Sequence, residues 1–293
     1  MIGSRLSRLL IEKQYKVQHL SRSASVTSKY GRIYWNPGKK ELDSGVLAGR
    51  KAIINLAGEG IAEKRWSSAR KKEILESRIL SSELLFSRLS QIKKEHLPEV
   101  FCSVSAVGFY GNRNDEELSE TSSRGSGFLS ETVFRWEESL KKIESLGIRT
   151  VILRSGVVLT KKGGALEKMT LPVKFGMGSI LGSGRQYISW IHIEDLCRLF
   201  LEAVENQNFT GILNAVSPDP VTNKEFLQTI ASVLGRPFFL PPLPEAVLKT
   251  LLGEMSEIVL DGQRVYPKKA GELGFQFQYP KLNAALQNLF EKK

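Results

Sequence analysis

Ile2, Leu6, Leu9 and Leu10 recur at helical spacing, so the chain opens inside an amphipathic helix. Tyr15 to Leu20 then reads as a strand ending at Ser21-Arg22-Ser23, and Lys51 to Leu56 as a second strand running into Ala57-Gly58. A long helix is predicted from Ser67 to Ile92, its apolar side supplied by Ile74, Leu75, Ile79, Leu84, Leu85 and Leu89. The stretch from Phe101 to Gly111 begins apolar and ends in small residues, hydroxyls and a phenol. An acidic loop (Asp115, Glu116, Glu117, Glu120), a helix from about Leu129 to Ser145 and a strand from Thr150 to Arg154 follow. Beyond Val158 the pattern loosens around Gly163, Gly164, Gly176, Gly178, Gly182 and Gly184. It tightens again at Ile188–Ile193, a helix opened by Glu194-Asp195, and a strand from Ile212 to Val216. Thr222 with Glu225 three residues on has capping-box spacing.

Strands alternating with helices of this length imply an α/β fold, a Rossmann-like doubly wound parallel sheet. The strand cores are β-branched and nearly continuous, as strands buried on both faces must be. Pro241-Pro242-Leu243-Pro244 is the clearest boundary signal. It divides a main domain, residues 1–236, from a small α-rich cap, residues 237–293. Within the cap a helix from Ala246 to Leu252, a basic turn at Tyr266-Pro267-Lys268-Lys269 and a terminal helix from Leu282 are expected.

Composition adds limits. The 293 residues are 41% hydrophobic and 25% charged, enough for one large domain and a small one. No apolar run approaches the roughly 18 residues that cross a bilayer, and no secretory signal is visible, so a cytoplasmic protein is expected. Cys102 and Cys197 sit in apolar context and read as buried thiols of a reducing compartment. His19, His96 and His192 do not join the cysteines at metal-ligand spacing, so no metal is expected. The net charge of +11 suits a polyanion, but it is scattered in pairs such as Lys71-Lys72 and Lys161-Lys162, without a nucleic-acid motif. The partner expected is therefore a small-molecule substrate, neither nucleic acid nor membrane; a homodimer is carried as an open alternative to a single copy.

A strand of such a sheet that turns polar at its C-terminal end delivers chemistry into the ligand crevice. Asn55-Leu56-Ala57-Gly58 offers small residues where a ligand can approach the backbone. After the preceding strand a dinucleotide fold carries an acid for a ribose 2′-hydroxyl, or an arginine for a 2′-phosphate. Here Arg22 stands without an acid beside it, which favours NADP over NAD.

The chain resembles the extended short-chain dehydrogenase/reductases, and within them an epimerase-like branch with a C-terminal domain of unknown function. The likeness spans the whole chain. It rests on Asn55–Glu59, Arg65-Trp66, Ser77-Arg78, Ser103–Gly111, Trp136-Glu137, Leu153–Leu159, Gly182–Gln186, Trp190–Leu196 and Gly262–Val265. The resemblance implies an NADP-binding domain contacting its cofactor through Gly3, Arg22, Leu56, Ala57, Gly58, Ser103 and Arg154. Arg185 and Trp190 become substrate-binding residues, with Ser105, Tyr110 and His192 as catalytic candidates.

Two departures stand out. The branch opens with a strand and a Gly-x-x-Gly-x-x-Gly turn that holds the pyrophosphate; here only Ile2-Gly3 remains, so a misplaced start or a truncated chain is expected. The superfamily's proton-transfer pair is a tyrosine with a lysine four residues later. No tyrosine here has that lysine, and the corresponding places hold Leu129 and Val133. Ser105 matches the superfamily's catalytic serine, whereas Tyr110 falls where extended members use a Tyr-Gly pair to shape a loop. His192 lies between two isoleucines and reads equally as a structural imidazole. Arg154 and Arg185 are anion clamps or ion-pair partners; Trp66 and Trp190 wall the crevice or fill the core. An oxidoreductase or epimerase-like enzyme acting on a small polar carbonyl or alcohol is the leading expectation. A cofactor-binding sensor or scaffold without turnover is the alternative.

Overall fold

A computed structural model describes residues 1–23 and 31–291. The opening run forms α1 (Ile2–Glu12) and leads to a parallel pair, β1 (His19–Ser21) and β2 (Arg32–Tyr34). β3 (Ala52–Asn55) is followed by α2 (Ser68–Leu89), whose N-cap Ser67 accepts a hydrogen bond from the Arg70 amide at 3.1 Å. β4 (Val100–Ala106) ends in a tight turn, Val107–Tyr110. Short β5 (Glu117–Leu118) and α3 (Phe128–Glu144) precede β6 (Arg149–Ser155) and β7 (Val157–Leu159). Next come α4 (Gly164–Lys174), β8 (Tyr187–Ile188), β9 (Trp190–His192), α5 (Ile193–Glu205) and β10 (Gly211–Ala215). β11 (Val221–Thr222) and α6 (Asn223–Val233) follow, the latter with its full Thr222–Glu225 capping box. The tail holds α7 (Glu245–Leu252), α8 (Glu257–Leu260), β12 (Arg264–Val265), α9 (Lys268–Glu272) and α10 (Leu282–Phe290).

Four strands make one parallel sheet in the order β10-β6-β4-β3. Side chains alternate across it because successive strand residues face opposite ways. Val100, Cys102, Val151 and Leu153 pack with α1 and α5 through Leu6, Leu10, Leu196 and Phe200. Phe101 and Ile152 pack with α2 and α3 through Leu85, Leu89, Trp136 and Leu140. Both faces are thus covered, which is why the strands read as unbroken apolar runs. The fold is the expected Rossmann-like α/β arrangement.

Local departures have physical causes. The first strand is shorter than the run Tyr15–Leu20 because it pairs with β2 alone among the described residues. The Gly-rich stretch holds a real helix, α4, despite Pro172 within it. Its buried Leu166 and Val173 join a core with α6 and α10, so tertiary packing overrides weak local propensity. The run Ile188–His192 is broken at Ser189, whose carbonyl accepts from the Val157 amide at 2.8 Å. That approach requires Gly156, where a Cβ would lie 2.4 Å from the Ser189 oxygen.

Residues beyond Pro237 do not form a core of their own. Leu282, Ala285, Leu286 and Leu289 share one with Leu159, Trp190 and Phe226, and Phe275 joins the α1–α5 face. The anchor is Asp195, fully buried, whose carboxylate accepts from the Gln278 and Tyr279 amides at 2.8 and 2.9 Å and pairs with Arg198 at 3.0 Å. Asp195→Ala removes the acceptor of two amides and the partner of Arg198 at a fully buried position, and is expected to cost about 3 kcal/mol in urea unfolding. Hydrogen exchange at residues 278 and 279 should accelerate before the sheet does; equal acceleration everywhere would refute the local anchor.

Candidate active site

The crevice lies at the carboxyl ends of the parallel strands, where Arg22 follows β1, Asn55 closes β3, Ala106 closes β4 and Ser155 closes β6. Beneath it sits a buried polar network. In register across the sheet, Ser105 of β4 lies beside Arg154 of β6, and Arg154 beside Asn214 of β10. Glu137 projects from α3 and takes three donors. Ser105 Oγ gives it a hydrogen bond at 2.6 Å, and Arg154 forks onto both carboxylate oxygens at 2.9 and 2.7 Å. Arg154 Nη1 also donates to the Tyr110 hydroxyl at 3.0 Å, which in turn donates to Asn214 Oδ1 at 2.7 Å. Asn214 Nδ2 donates to the Tyr266 carbonyl at 3.1 Å. The guanidinium lies 3.4 Å from the Phe109 ring centroid, a cation–π contact that closes its other face.

The electrostatics follow from this burial. Burial pulls Arg154 downward, but the Glu137 carboxylate outweighs it and holds the guanidinium above its ordinary pKa. Burial pushes the Tyr110 phenol above its usual value, against the nearby Arg154 cation. With Arg154 donating to it and Asn214 accepting from it, the Tyr110 hydroxyl has its partners, and its ring is fully buried. Ser105 has its proton committed to Glu137, which leaves the oxygen as an acceptor. Leu129 and Val133 both lie beside Gly108, where a Cβ would be 3.5 and 3.8 Å from their side chains.

The structure therefore joins Ser105, Tyr110 and Arg154 in one network and places other candidates elsewhere. His192 is the N-cap of α5: its Nδ1 accepts from the Glu194 amide at 3.2 Å, and its ring lies 3.9 Å from that of Tyr279. Asn288 approaches Nε2, but no hydrogen bond of sound geometry forms there. Trp190 is fully buried with its indole donating to the Asp219 carbonyl, so it fills the core rather than walling the crevice. Trp66 is likewise buried, its indole donating to the Ile61 carbonyl at 2.8 Å. Ser103 is enclosed between strands, its hydroxyl donating to the Val104 carbonyl at 3.0 Å. Arg185 is exposed.

Gly3, Arg22 and Leu56-Ala57-Gly58 gather on the sheet edge beside β1 and β3. Gly3 in the first turn of α1 sits against Leu56, 3.6 Å from where a Cβ would be, and that helix has no side-chain cap. Arg22 is largely exposed and meets Glu59 at 3.4 Å. Asn55 Nδ2 is buried without a hydrogen-bond partner, although its Oδ1 accepts from the Ala57 amide. An open helix N-terminus, an exposed arginine and an unpaired buried donor fit a phosphorylated dinucleotide. Arg78 braces the turn from below. It donates to the Glu59 carbonyl at 3.0 Å and to the Ile74 carbonyl at 2.8 Å, and burial lowers it to about 10. Among the described residues no group of His, Cys, Asp and Glu could hold a metal ion.

The sequence assigned no side-chain role to Glu137, Asn214 or Glu59, and read Asn55 only as part of a close-approach backbone. A carboxylate at a buried helical position beside Trp136, facing a strand that carries an arginine, was the signal available for Glu137.

Such a sheet, with its crevice at the carboxyl edge, defines the doubly wound α/β class. The chain belongs to the NAD dependent epimerase/dehydratase family, whose family model matches residues 1–215; a domain of unknown function, DUF1731, matches residues 243–289. It is 40% identical to epimerase family protein YfhF of Bacillus subtilis, over 98% of this chain and 94% of that protein. It is 36% identical to the human epimerase family protein SDR39U1, over 98% and 96%. The crystal structure of human SDR39U1 isoform 2 with NADPH superposes with a TM-score of 0.88 at 34% identity, covering 99% of this chain and 95% of that one. UDP-glucose 4-epimerase of Thermotoga maritima with UDP-glucose shares the fold, with a TM-score of 0.75 at 18% identity over 99% and 94%.

Two tests address the network and its neighbour. Glu137→Ala strands Arg154 as a buried unpaired cation and is expected to cost about 3–5 kcal/mol in urea unfolding. Adding Arg154→Met should restore part of that loss; a purely additive double variant would count against the pair. Burial is the largest influence on His192 and holds its pKa below 6.5, so the folded state favours the neutral imidazole. The associated stability is present above the unfolded-state pKa of about 6.5 and is lost as pH falls toward the folded value. His192→Asn, which keeps a capping side chain, should flatten the decline in urea midpoint between pH 7.5 and 5; an unchanged slope would refute the assignment.

Proposed function

We propose that the protein is an NADP(H)-dependent oxidoreductase or epimerase-like enzyme acting on a small polar alcohol or carbonyl, with the phosphorylated cofactor lying along α1 and the β3 turn. The observation that carries this reading is the grouping of Arg22, the uncapped N-terminus of α1 and the unpaired Asn55 donor on one sheet edge. The human relative crystallised with NADPH supports the choice of cofactor.

Gly3 and Ser4 amides and the Leu56-Ala57-Gly58 backbone would hold the diphosphate, and Arg22 would meet the 2′-phosphate. To do so Arg22 exchanges Glu59 for a dianion, a favourable trade for an exposed guanidinium. When bound, the nicotinamide supplies or accepts a hydride. Ser105 would orient the substrate. With its proton on Glu137, its oxygen accepts rather than donates, which suits an alcohol in the oxidising direction. The exposed Arg185 would attract an anionic substituent. The cytoplasm suits two unpaired buried thiols, Cys102 and Cys197, each pushed up to about 12 by burial. A homodimer completes the reading.

A second reading has its own support. Leu129 and Val133 occupy the proton-transfer positions, and the Tyr110 hydroxyl is held between Arg154 and Asn214. These favour a protein that binds NADP(H) as a sensor or scaffold without turnover.

Nicotinamide fluorescence titration is expected to give tighter binding of NADPH than NADH, with Arg22→Ala weakening NADPH about tenfold and leaving NADH nearly unchanged, a loss near 1.4 kcal/mol. Equal loss for both cofactors would remove Arg22 from the phosphate site. A carbonyl and alcohol screen then separates the two readings. Genuine turnover should fall at least tenfold in Ser105→Ala and in Tyr110→Phe, whereas binding without turnover selects the sensor.

A further inference from the structure

The chain leaving α4 and the chain entering α7 run side by side. The Leu243 amide donates to the Ile180 carbonyl at 2.8 Å, the Gly182 amide to the Leu243 carbonyl at 2.9 Å, and Ser179 Oγ to the Pro241 carbonyl. Nearer α4, a Cβ on Gly178 would lie 2.9 Å from the Phe238 ring, and one on Gly176 4.0 Å from Pro237. Both helices also reach the loop after β3, through Lys168 on the Ala62 carbonyl and Arg65 on the Thr250 carbonyl. This corner carries Leu171, Phe175, Met177, Phe239 and Leu251, the five most exposed large apolar side chains among the described residues, with Val247 one turn before Leu251. Phe175 is 71% exposed and Phe239 76%, so they protrude rather than line a pocket. On α4, Leu171 and Phe175 stand one turn apart, on the side away from the buried Leu166, Thr170 and Val173. α7 buries only Leu248. Single exposed apolar residues are ordinary, but a cluster of the most exposed ones marks a contact surface.

Charge decides what this surface meets. Residues 168–193 and 226–244 supply most of it and contain no aspartate or glutamate, but they carry Lys168, Lys174, Arg185 and Arg236. Lys174 directly precedes Phe175, and Arg236 directly precedes the Pro237 that lies against Gly176, so two cations border the protruding rings. The acid that opens α7, Glu245, is paired with Lys249 at 3.4 Å. A second copy seated here across a two-fold axis would bring the same cations against themselves. A single-stranded nucleic acid would want rings to stack on, and Leu171, Met177, Val247 and Leu251 offer none. An anionic bilayer accepts both features: apolar side chains enter the boundary of the acyl chains while lysine and arginine stay among the headgroups. Such a contact needs no long apolar run, and among the described residues no helix is long and apolar enough to cross a membrane.

We propose that the corner formed by the end of α4, the Pro237–Leu243 segment and α7 is a docking surface for an anionic phospholipid bilayer, on which the protein lies without spanning it. Phe175, Met177 and Phe239 enter the headgroup boundary, Leu171 and Leu251 widen the apolar contact, and Lys174 and Arg236 meet lipid phosphates and carboxylates. The attraction has two parts, apolar burial and charge, and each is removed by different substitutions. None of the residues substituted below belongs to the proposed cofactor or substrate site, and every measurement is made without cofactor, so this inference stands or falls apart from that reading.

The test is co-sedimentation of the full chain with phosphatidylcholine vesicles, either pure or carrying about 30 mol% phosphatidylserine. Binding is expected on the anionic vesicles, at least about tenfold tighter than on the neutral ones, and weakened by added salt. Phe175→Ser with Phe239→Ser should cut it about tenfold or more without moving the thermal midpoint, since both rings are mostly in water. Lys174→Glu with Arg236→Glu should abolish the preference for phosphatidylserine. Because Cys102 and Cys197 are buried, Met177→Cys takes a polarity-sensitive thiol dye selectively, and its emission should shift to the blue on anionic vesicles only. No sedimentation with anionic vesicles, or binding indifferent to both double variants, would overturn the proposal. So would a concentration-dependent dimer in ultracentrifugation that Phe175→Ser with Phe239→Ser dissolves, which assigns the surface to a second copy. Binding of an oligothymidylate that the same variants abolish would assign it to nucleic acid instead.

Discussion

The Glu137–Arg154 pair is the contact on which the centre of the molecule depends. Both side chains are about 3% exposed, deep enough that neither charge could remain there alone. Because the carboxylate comes from α3 and the guanidinium from β6, the pair fixes the depth at which the helix lies on the sheet. Through Ser105 it reaches β4, and through Tyr110 and Asn214 it reaches β10 and the backbone at Tyr266. Hydrophobic contacts tolerate sliding along a helix; a bidentate fork with three further donors and acceptors does not. The pair therefore sets the register of layers that the surrounding leucines and isoleucines only hold together.

The tail is tied to the same frame by polar contacts at fixed places. Asp195 holds the Gln278 and Tyr279 amides at the start of α5. Ser189, at the break between β8 and β9, donates to the Gln263 carbonyl and accepts from the Val265 amide. On the opposite wall, the loop after β3 reaches the tail through Arg65 on the Thr250 carbonyl and α4 through Lys168 on the Ala62 carbonyl, and the start of α2 adds a Lys71–Glu254 ion pair. These links lie at the protein surface, where ion pairs contribute little stability. The crevice is thus framed by a rigid wall at the network and a weakly fastened one across from it. That asymmetry suits a site in which one side must stay fixed while the other admits a ligand.

Much of this architecture was legible in the residues. Apolar periodicity located the sheet strands, and Thr222 with Glu225 marked a helix start that the capping box makes literally. What periodicity could not show was which polar residues face each other across layers. Arg154 was visible as a charge inside a strand, and Glu137 as an acid beside a core tryptophan, but their meeting depends on the angle at which α3 crosses the sheet. Ser105 and Tyr110 carried the right residue types for chemistry, yet the same types satisfy a buried ion pair. α4 was hidden for another reason. Its glycines and proline speak against a helix locally, and only the α6–α10 surface beneath it makes the helix favourable.

The same proton inventory bears on what the crevice can do. A hydroxyl that has given its proton to a carboxylate accepts hydrogen bonds; it cannot also polarise a carbonyl as a donor. At this sheet edge Ser105 donates to Glu137, and Tyr110 donates to Asn214. Among Ser105, Tyr110 and Asn55, only the Asn55 amide keeps a buried donor unpaired, and it lies over β3 rather than beside Ser105. Substrate chemistry near Ser105 must therefore bring its own acidic proton, as an alcohol does, or draw it from water. The proposed cofactor site would need neither, since it would rely on backbone amides, an exposed arginine and the Asn55 amide donor. The residues proposed to hold a dinucleotide and those that would move a proton are thus separate sets, so the first could be kept where the second is lost.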